Sequence, residues 1–248
     1  MSVAVMMLGM APTLVLLHGF THTGRSWDPV MAALGERYRA LAPDIRGHGT
    51  ASQAQPVTVE AVIGDVAEAG GEAFTLAGYS MGARLALHAA LALHDRVERL
   101  ILIGASPGIA DQAERSARRE ADERLADETE ELSIEEFAHQ WASNPVLADQ
   151  PPTVRAAAAA YRLQNSPTGL ARALRALGTG ALPSLWGRLG ELQMPVVLVV
   201  GERDLKFRTI SEQMAEAIPH AEVTVVPRLG HAVHLEAPQA VAQTIARF

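Results

Sequence analysis

One serine in this sequence stands in a setting that suits a nucleophile or a base. Ser80 is the centre of Gly78-Tyr79-Ser80-Met81-Gly82, between a short apolar run at 72–77 and an Ala/Leu-rich run at 83–93. A strand, a sharp turn and a helix are the context in which a G-x-S-x-G pattern exposes its hydroxyl. The two glycines remove side chains that would collide in so tight a turn. The pattern alone is weak, so other residues must supply a base and an acid.

Acid and base candidates follow two later apolar runs. Asp204 comes after the run at 195–200, and His231 comes shortly after the run at 222–226. If these runs are parallel strands, their carboxyl ends meet at the edge where α/β sheets bind ligands. Ser80, Asp204 and His231 then follow one of the known chain orders of a catalytic triad.

These residues have complementary roles in this interpretation. The Ser80 hydroxyl is too weak to act by itself at neutral pH, so His231 activates it, and Asp204 fixes the tautomer of His231 and stabilises its cation. The backbone amides of Phe20 and Met81 would form an oxyanion hole, worth roughly 3 kcal/mol per donor.

Each assignment has a competitor in the sequence. Glu202 and Asp44 are alternative acids, and His234 is an alternative base close to His231. His18, in the loop after the run at 13–17, is either a site residue or a histidine packed in the core. The joint placement of Ser80, Asp204 and His231 after separate strands favours the triad.

The elements that must position these residues alternate between strand and helix patterns. This alternation predicts an α/β fold with a mostly parallel sheet and helices on both faces. Helices are predicted at 26–34, 58–69, 83–93, 210–217 and from Pro238, and strands at 13–17, 38–43, 72–77, 97–103, 195–200 and 222–226.

The alternation stops for about ninety residues between Gly104 and Pro195, and the inserted segment is helical in composition. It is too long for a loop. We therefore predict a core domain of residues 1–105 and 186–248 and a helical cap of residues 106–185 over the carboxyl edge of the sheet.

Composition narrows the function classes. The chain has 248 residues, a net charge of −7 and no cysteine, so disulfides and thiolate metal sites are excluded and a reducing, cytoplasmic compartment is expected. No apolar run reaches the ~20 residues of a membrane span, and no basic stripe suggests nucleic acid. Residues 1–10 are apolar but lack a basic n-region, so we interpret them as leading into a core strand rather than as a signal peptide.

Motifs for bound groups are missing from the sequence. It has no HExxH metal motif, no phosphate-binding P-loop and no dinucleotide fingerprint. We therefore expect no cofactor and no metal. The expected partner is a small anionic substrate, bound by a monomer or small homo-oligomer.

Over its whole length the chain resembles the α/β-hydrolases. Within that fold it is similar to the 2-succinyl-6-hydroxy-2,4-cyclohexadiene-1-carboxylate synthase family of menaquinone biosynthesis. In that fold the cap is inserted after the sixth strand of the complete sheet. The resemblance rests on the segments 17–20, 44–49, 78–84, 105–108, 162–165, 169–171, 178–180, 183–186, 201–207 and 230–236.

The resemblance implies a carbon–oxygen lyase that eliminates pyruvate from a cyclohexene intermediate with several carboxylates. Arg84 is one helical turn beyond Ser80, and a guanidinium matches a carboxylate with paired donors. Of Arg118 and Arg119 one is expected to point inward, and the resemblance favours Arg118. The remaining candidate substrate-binding residues are Arg162, Tyr79, Trp141 and His18, although Trp141 is equally suited to the core of the cap.

Two other functions remain open at this level. The same triad would serve an esterase, lactonase or C–C bond hydrolase that acts through an acyl-enzyme on Ser80. A ligand-binding protein on a hydrolase scaffold is the third interpretation, and the intact triad argues against it.

Overall fold

The computed structural model describes residues 11–144, 147 and 150–248. Residues 1–10, which the sequence analysis interprets as leading into a core strand, lie outside this part, so that interpretation stays a prediction.

A six-stranded sheet forms the centre of the molecule. Its strands are β1 (Thr13–Leu17), β2 (Arg39–Leu41), β3 (Phe74–Tyr79), β4 (Val97–Ile103), β5 (Val196–Gly201) and β6 (Ala221–Val226). Their order across the sheet is β2-β1-β3-β4-β5-β6, and every pairing among them is parallel. Because all strands run the same way, the loops after β1, β3, β5 and β6 lie at one edge.

Apolar side chains cover both faces of this sheet. Along β1, Val15 and Leu17 belong to one buried cluster, whereas Leu14 and Leu16 belong to another. The alternation follows from the twofold repeat of strand side chains. Strands buried on both faces need near-continuous apolar runs, which is why these segments were recognisable in the sequence.

Helices flank the sheet and fill the long insert. The core helices are α1 (Asp28–Leu34), α2 (Val59–Gly70), α3 (Met81–Ala92), α8 (Leu205–Ala217), α9 (Val233–Glu236) and α10 (Pro238–Arg247). Between β4 and β5 lie α4 (Gln112–Glu130), α5 (Ile134–Trp141), α6 (Pro152–Arg162) and α7 (Pro167–Leu177). The predicted α/β fold with a helical insert is therefore confirmed, whereas the boundaries at 105/106 and 185/186 stay predictions.

The structure corrects three local expectations. The first helix opens with a 3₁₀ turn at Gly24–Trp27, so Ser26 is buried inside it and does not cap α1. Helix α5, fixed by a capping box between Ser133 and Glu136, was not predicted. Helix α8 begins five residues earlier than expected, directly after Asp204.

Within the described residues, no helix is long and apolar enough to cross a membrane.

Candidate active site

Ser80 occupies the sharp turn that its sequence predicts. Its φ is 52° and its ψ is −110°, between the end of β3 and the start of α3. Few residues other than glycine have positive φ, and such strain is typical of functional sites. A Cβ at Gly78 would lie 2.4 Å from the Gly82 oxygen, and a Cβ at Gly82 would lie 2.3 Å from the Leu17 oxygen. The two glycines therefore let the turn close and bring α3 against the loop after β1.

The three predicted side chains form one hydrogen-bonded chain. Ser80 Oγ lies 3.0 Å from His231 Nε2, and His231 Nδ1 lies 2.6 Å from Asp204 Oδ2. The side chains of Asp204 and His231 are only 8% and 5% exposed, which shields their contact from water. This is the connectivity by which a histidine takes a hydroxyl proton while a carboxylate holds its opposite nitrogen.

The loops that carry Asp204 and His231 are fastened to each other. Arg203 N donates to Leu229 O at 2.9 Å, and Glu236 Oε2 accepts from Gly230 N at 3.1 Å. Gly104, with a φ of 56°, faces the histidine ring, and a Cβ there would lie 2.7 Å from His231 Cε1. The ring position therefore depends on a glycine at the end of β4.

The alternative acids and the alternative base are engaged elsewhere. Glu202 accepts a hydrogen bond from Arg228 N at 2.7 Å, and Asp44 accepts one from Gly24 N at 2.7 Å. His234 is fully buried, with its ring centroid 4.1 Å from that of Tyr79. The geometry thus selects Asp204 and His231.

The two amides predicted to form the oxyanion hole are free to donate. Phe20 N has no hydrogen-bond acceptor in the described part of the chain. Met81 is the first residue of α3, so its amide has no partner within the helix. The loop after β1, in which Phe20 lies, touches the first turn of α3, because a Cβ at Gly82 would meet the oxygens of Leu17 and His18. The joint role of the two amides as an oxyanion hole stays a prediction.

His18 has a different position from the one expected of a substrate ligand. Its side chain is fully buried, its Nδ1 lies 2.9 Å from Gly19 O, and its Nε2 accepts from Ile45 N at 2.9 Å. Burial lowers the pKa of His18 to about 4, so the ring is neutral. The bond of Nε2 joins the loops after β1 and β2, and because both ring nitrogens are bonded His18 has none free to offer a substrate.

Arg84 connects the core to the cap. Its Nη1 donates to Thr179 Oγ1 at 2.7 Å and its Nη2 to Leu177 O at 2.9 Å, while its buried Nε has no partner in the described residues. Burial lowers the pKa of Arg84 to about 10, and the nearby charge of Arg118 adds to this. Arg84 therefore joins α3 to the cap segment at 177–179.

Arg118 and Arg119 lie on different sides of α4. Arg118 Nε donates to Asp122 Oδ1 at 2.7 Å, and its charge acts on Arg84. Arg119 lines an outer groove of about 370 Å³ with Gly180. The Arg118 side chain is nevertheless 46% exposed, so the inward orientation that the resemblance favours and its substrate contact stay predictions.

Arg162 is a buried cation at the end of α6. It is 2% exposed, and its Nε has no partner among the described residues. Burial lowers the pKa of Arg162, partly opposed by Tyr79. Burial raises the pKa of Tyr79 in turn, and the Tyr79 ring lies 5.2 Å from that of His231. A buried guanidinium therefore lies near Tyr79, whose ring packs against His231, and no carboxylate among the described residues is paired with it.

Trp141 packs between the cap segment and the loop after β1, which fits the core role, whereas its role in the substrate pocket stays a prediction. Its ring packs against Phe137 in the cap at 5.6 Å and against Phe20 at 5.1 Å. It also lines a cavity of about 310 Å³ between α4 and α5. The aromatic contact links the cap segment to Phe20, whose amide is a predicted oxyanion donor.

Sequence reasoning missed two polar residues that support the site. Asp122 is 4% exposed; it holds Arg118 and also accepts from Gly180 N at 3.3 Å. Its spacing of four residues from Arg118 was an available signal. Asn165 lies in the segment 162–165 on which the resemblance rests, but its bonds to Thr21 and Gly49 gave no local signal because those residues are distant in sequence. The described residues contain no cluster of acidic and histidine side chains that would hold a metal ion.

Comparison with known proteins places this arrangement in a family. The model of the alpha/beta hydrolase family matches residues 14–244, and the chain belongs to that family. A 2-succinyl-6-hydroxy-2,4-cyclohexadiene-1-carboxylate synthase of Salmonella schwarzengrund is 34% identical over 246 residues, which are 96% of this chain and 94% of that one. At this identity and coverage the chain also belongs to the family of the Salmonella synthase.

Two solved structures are similar to this chain over nearly its whole length. The structure of MenH from S. aureus has a TM-score of 0.90 and 30% identity, and the match covers 97% of this chain and 94% of that one. A thermophilic esterase from Thermogutta terrifontis, solved with malate bound, has a TM-score of 0.81 and 26% identity, covering 96% and 89%.

Proposed function

We propose that this protein is a carbon–oxygen lyase that eliminates pyruvate from a polycarboxylate cyclohexene intermediate of menaquinone biosynthesis. The observation that carries the proposal is the hydrogen-bonded Ser80–His231–Asp204 chain, together with a buried cation near it in the fold. That cation is Arg162, which lies near Tyr79 and whose Nε has no partner among the described residues. The first supplies a base and the second a site for a carboxylate. The family of the Salmonella synthase supports this choice of substrate.

The reaction needs a base rather than a nucleophile. In the proposed step, Ser80 Oγ takes a proton from a ring carbon as its own proton passes to His231 Nε2. The electron pair of the broken C–H bond moves into the ring system, and the carbon–oxygen bond to the pyruvyl group breaks. The proton on His231 is then available to the leaving group. Asp204 stabilises the histidine cation throughout.

Negative charge that develops during proton removal needs donors that are already in place. The amides of Phe20 and Met81 are the proposed donors, because neither is bonded within the described residues and the loop that carries Phe20 meets the first turn of the helix that carries Met81. Fixed donors in a site shielded from water stabilise such charge without reorganising.

The cations of the site suit a substrate with more than one carboxylate. Arg84 and Arg118 share one neighbouring acid, Asp122, so this group keeps a positive charge, and Arg162 adds another. A guanidinium binds a carboxylate with paired hydrogen bonds. Tyr79 and Trp141 are proposed as further walls of the substrate site.

Pyruvate release is the direct test. The purified protein is supplied with the pyruvate-bearing cyclohexene polycarboxylate, and pyruvate is followed with a coupled dehydrogenase, beside a panel of simple esters. We expect pyruvate release that Ser80→Ala abolishes, and a KM that rises in Arg84→Ala. Turnover of esters without pyruvate release would contradict the lyase assignment.

A hydrolase that forms an acyl-enzyme on Ser80 is the second candidate. The turn geometry of Ser80 and the likeness to the Thermogutta esterase favour it. Mass spectrometry separates the two, because only the hydrolase gains an acyl group on Ser80 during turnover.

We also propose a cytoplasmic location and a monomer or small homo-oligomer. The absence of cysteine supports a reducing compartment. Cell fractionation and light scattering of the purified protein test these two points.

A further inference from the structure

The loop that carries the Phe20 amide contains a strained residue. Thr21 has a φ of 67°, and it lies in a turn closed by a hydrogen bond from His22 N to Gly19 O at 3.1 Å. Positive φ is a true outlier for a β-branched residue. Such a conformation costs roughly 1–3 kcal/mol and persists only where its surroundings impose it.

One amide side chain from the cap segment imposes this conformation. Asn165 Nδ2 donates to Thr21 O at 3.0 Å, and its Oδ1 accepts from Gly49 N at 3.0 Å. The same Nδ2 also bonds the carbonyl oxygens of Tyr161 and Arg162. Asn165 is only 8% exposed, so water does not readily replace these contacts.

The neighbouring side chain is also held by the cap segment. Phe20 packs against Ala126, Ala171 and Leu174, and its ring meets Trp141 at 5.1 Å. Residues 20 and 21 are therefore fixed by hydrogen bonds on one side and by packing on the other. Both sets of contacts come from the insert between β4 and β5.

We propose that Asn165 is a positioning residue for the oxyanion hole. It holds Thr21 in its strained conformation and thereby aims the Phe20 amide at the space beside Ser80. Because Asn165 also bonds the Arg162 carbonyl, one side chain sets the spacing between a carboxylate-binding cation and an oxyanion donor. Without it, Thr21 relaxes toward negative φ and the amide turns away.

The inference rests on the proposed function, because kcat and KM can be measured only with the proposed substrate. The test therefore includes a second readout that does not need that substrate. Asn165→Asp keeps the acceptor for Gly49 N but places an acceptor against Thr21 O. Loss of one oxyanion donor costs about 10²–10³ in kcat, so a misaimed donor should lower kcat by roughly 10–100-fold. The expected change in KM is less than about threefold, because the effect lies in the transition state.

Labelling of Ser80 by a fluorophosphonate supplies the second readout. Its rate depends on the triad and the oxyanion hole but not on the identity of the substrate. We expect this rate to fall in parallel with kcat in Asn165→Asp. If the unsubstituted protein releases no pyruvate yet shows this fall, the proposed function fails and the positioning role stands.

Gln164→Ala is the matched control. Gln164 is adjacent and bonds Thr23 Oγ1 at 3.3 Å, but it does not touch residues 20 or 21. Both readouts should stay within about twofold of the original.

A second variant, Asn165→Ser, repeats the test without introducing a new charge.

Three outcomes would overturn the proposal. The first is an unchanged kcat and labelling rate with only a lower melting temperature. The second is an equal loss in Gln164→Ala. The third is failure of both Asn165 variants to fold, which would make Asn165 a residue of general stability.

Discussion

Asp204 precedes the first turn of α8, yet its carboxylate does not cap that helix and lies 2.6 Å from His231 Nδ1. An aspartate before a helix normally accepts from the helix's own amides. Here the backbone of Asp204 has a φ of −84° and a ψ of 67°, which turns the side chain across to the loop after β6. The Asp204 carboxylate therefore bonds His231 and leaves the first amides of α8 without a side-chain cap from this residue.

Replacing Asp204 by Asn should leave the fold intact and remove most of the activity. The amide favours the wrong tautomer of His231 and cannot stabilise its cation, so we expect kcat to fall by about 10³–10⁴. Steady-state pyruvate release measures the effect. Glu202→Gln is the matched control, because Glu202 bonds Arg228 N instead, and an equal loss there would contradict the assignment of the acid.

A methyl group at Gly104 should displace the histidine. In Gly104→Ala the new Cβ would lie 2.7 Å from His231 Cε1, at a φ of 56°. We expect a loss of at least about tenfold in kcat and a cost of about 1–2 kcal/mol in unfolding free energy from the backbone. Gly64→Ala, where nothing lies within 4 Å, should keep full activity. Normal turnover in Gly104→Ala would show that His231 tolerates the shift.

Removing the unpaired cation should weaken substrate binding without unfolding the protein. In Arg162→Met we expect KM for the polycarboxylate to rise roughly 10–100-fold, the equivalent of one lost charged hydrogen bond. The unfolding free energy should hold or increase, since a buried charge without a partner is costly. Urea denaturation and substrate kinetics check both points, with the exposed Arg155→Met on the same helix as control. A large loss of stability with an unchanged KM would mean that Arg162 is structural.

Buried neutral histidines should make the fold sensitive to mild acid. Burial lowers the pKa of His18 to about 4 and of His48 to about 3, from 6.5. As the pH drops below 6.5, the unfolded chain binds protons at these histidines and the folded chain does not. The unfolding free energy is therefore at its full value above pH 6.5 and decreases as the pH falls toward the pKa of the folded state. At pH 5 each such histidine should cost about 2 kcal/mol relative to pH 7.5.

Urea unfolding of His48→Gln at the two pH values tests this directly. In His48→Gln, the change in unfolding free energy between the two pH values should shrink by the contribution of one histidine. The control His220→Gln, at an exposed position, should leave that change as it is in the original protein. An undiminished dependence in His48→Gln would contradict the assignment.

The sheet and the triad were readable from the sequence because their signals are local. Strands buried on both faces are continuous apolar runs such as 196–201, and the elbow needs glycines at fixed offsets from Ser80. Parallel strands then bring the loops after β3, β5 and β6 to one edge, so Asp204 and His231 could be proposed without coordinates, although their alternatives stayed open.

The hydrogen bonds that support the site could not be predicted from local sequence patterns. Asn165 meets Thr21 across 144 positions of sequence, and Arg84 meets Thr179 across 95. Hydrogen bonds at such separation depend on how the cap segment docks. The bond from Ile45 N that makes His18 a link between loops likewise depends on how β1 and β2 pair.

The sequence by itself determined the α/β fold and the chain order of serine, acid and histidine, since these follow from hydrophobic periodicity and short-range turn chemistry. Only the tertiary structure decided that Asp204, and not Glu202 or Asp44, pairs with His231. It also decided that Arg84 bonds Thr179 and Leu177, and that Arg162 is buried with no partner for its Nε in the described chain. Those outcomes depend on which side chains lie close enough in space to compete for the same partner. The spacing of residues along the sequence does not determine those distances.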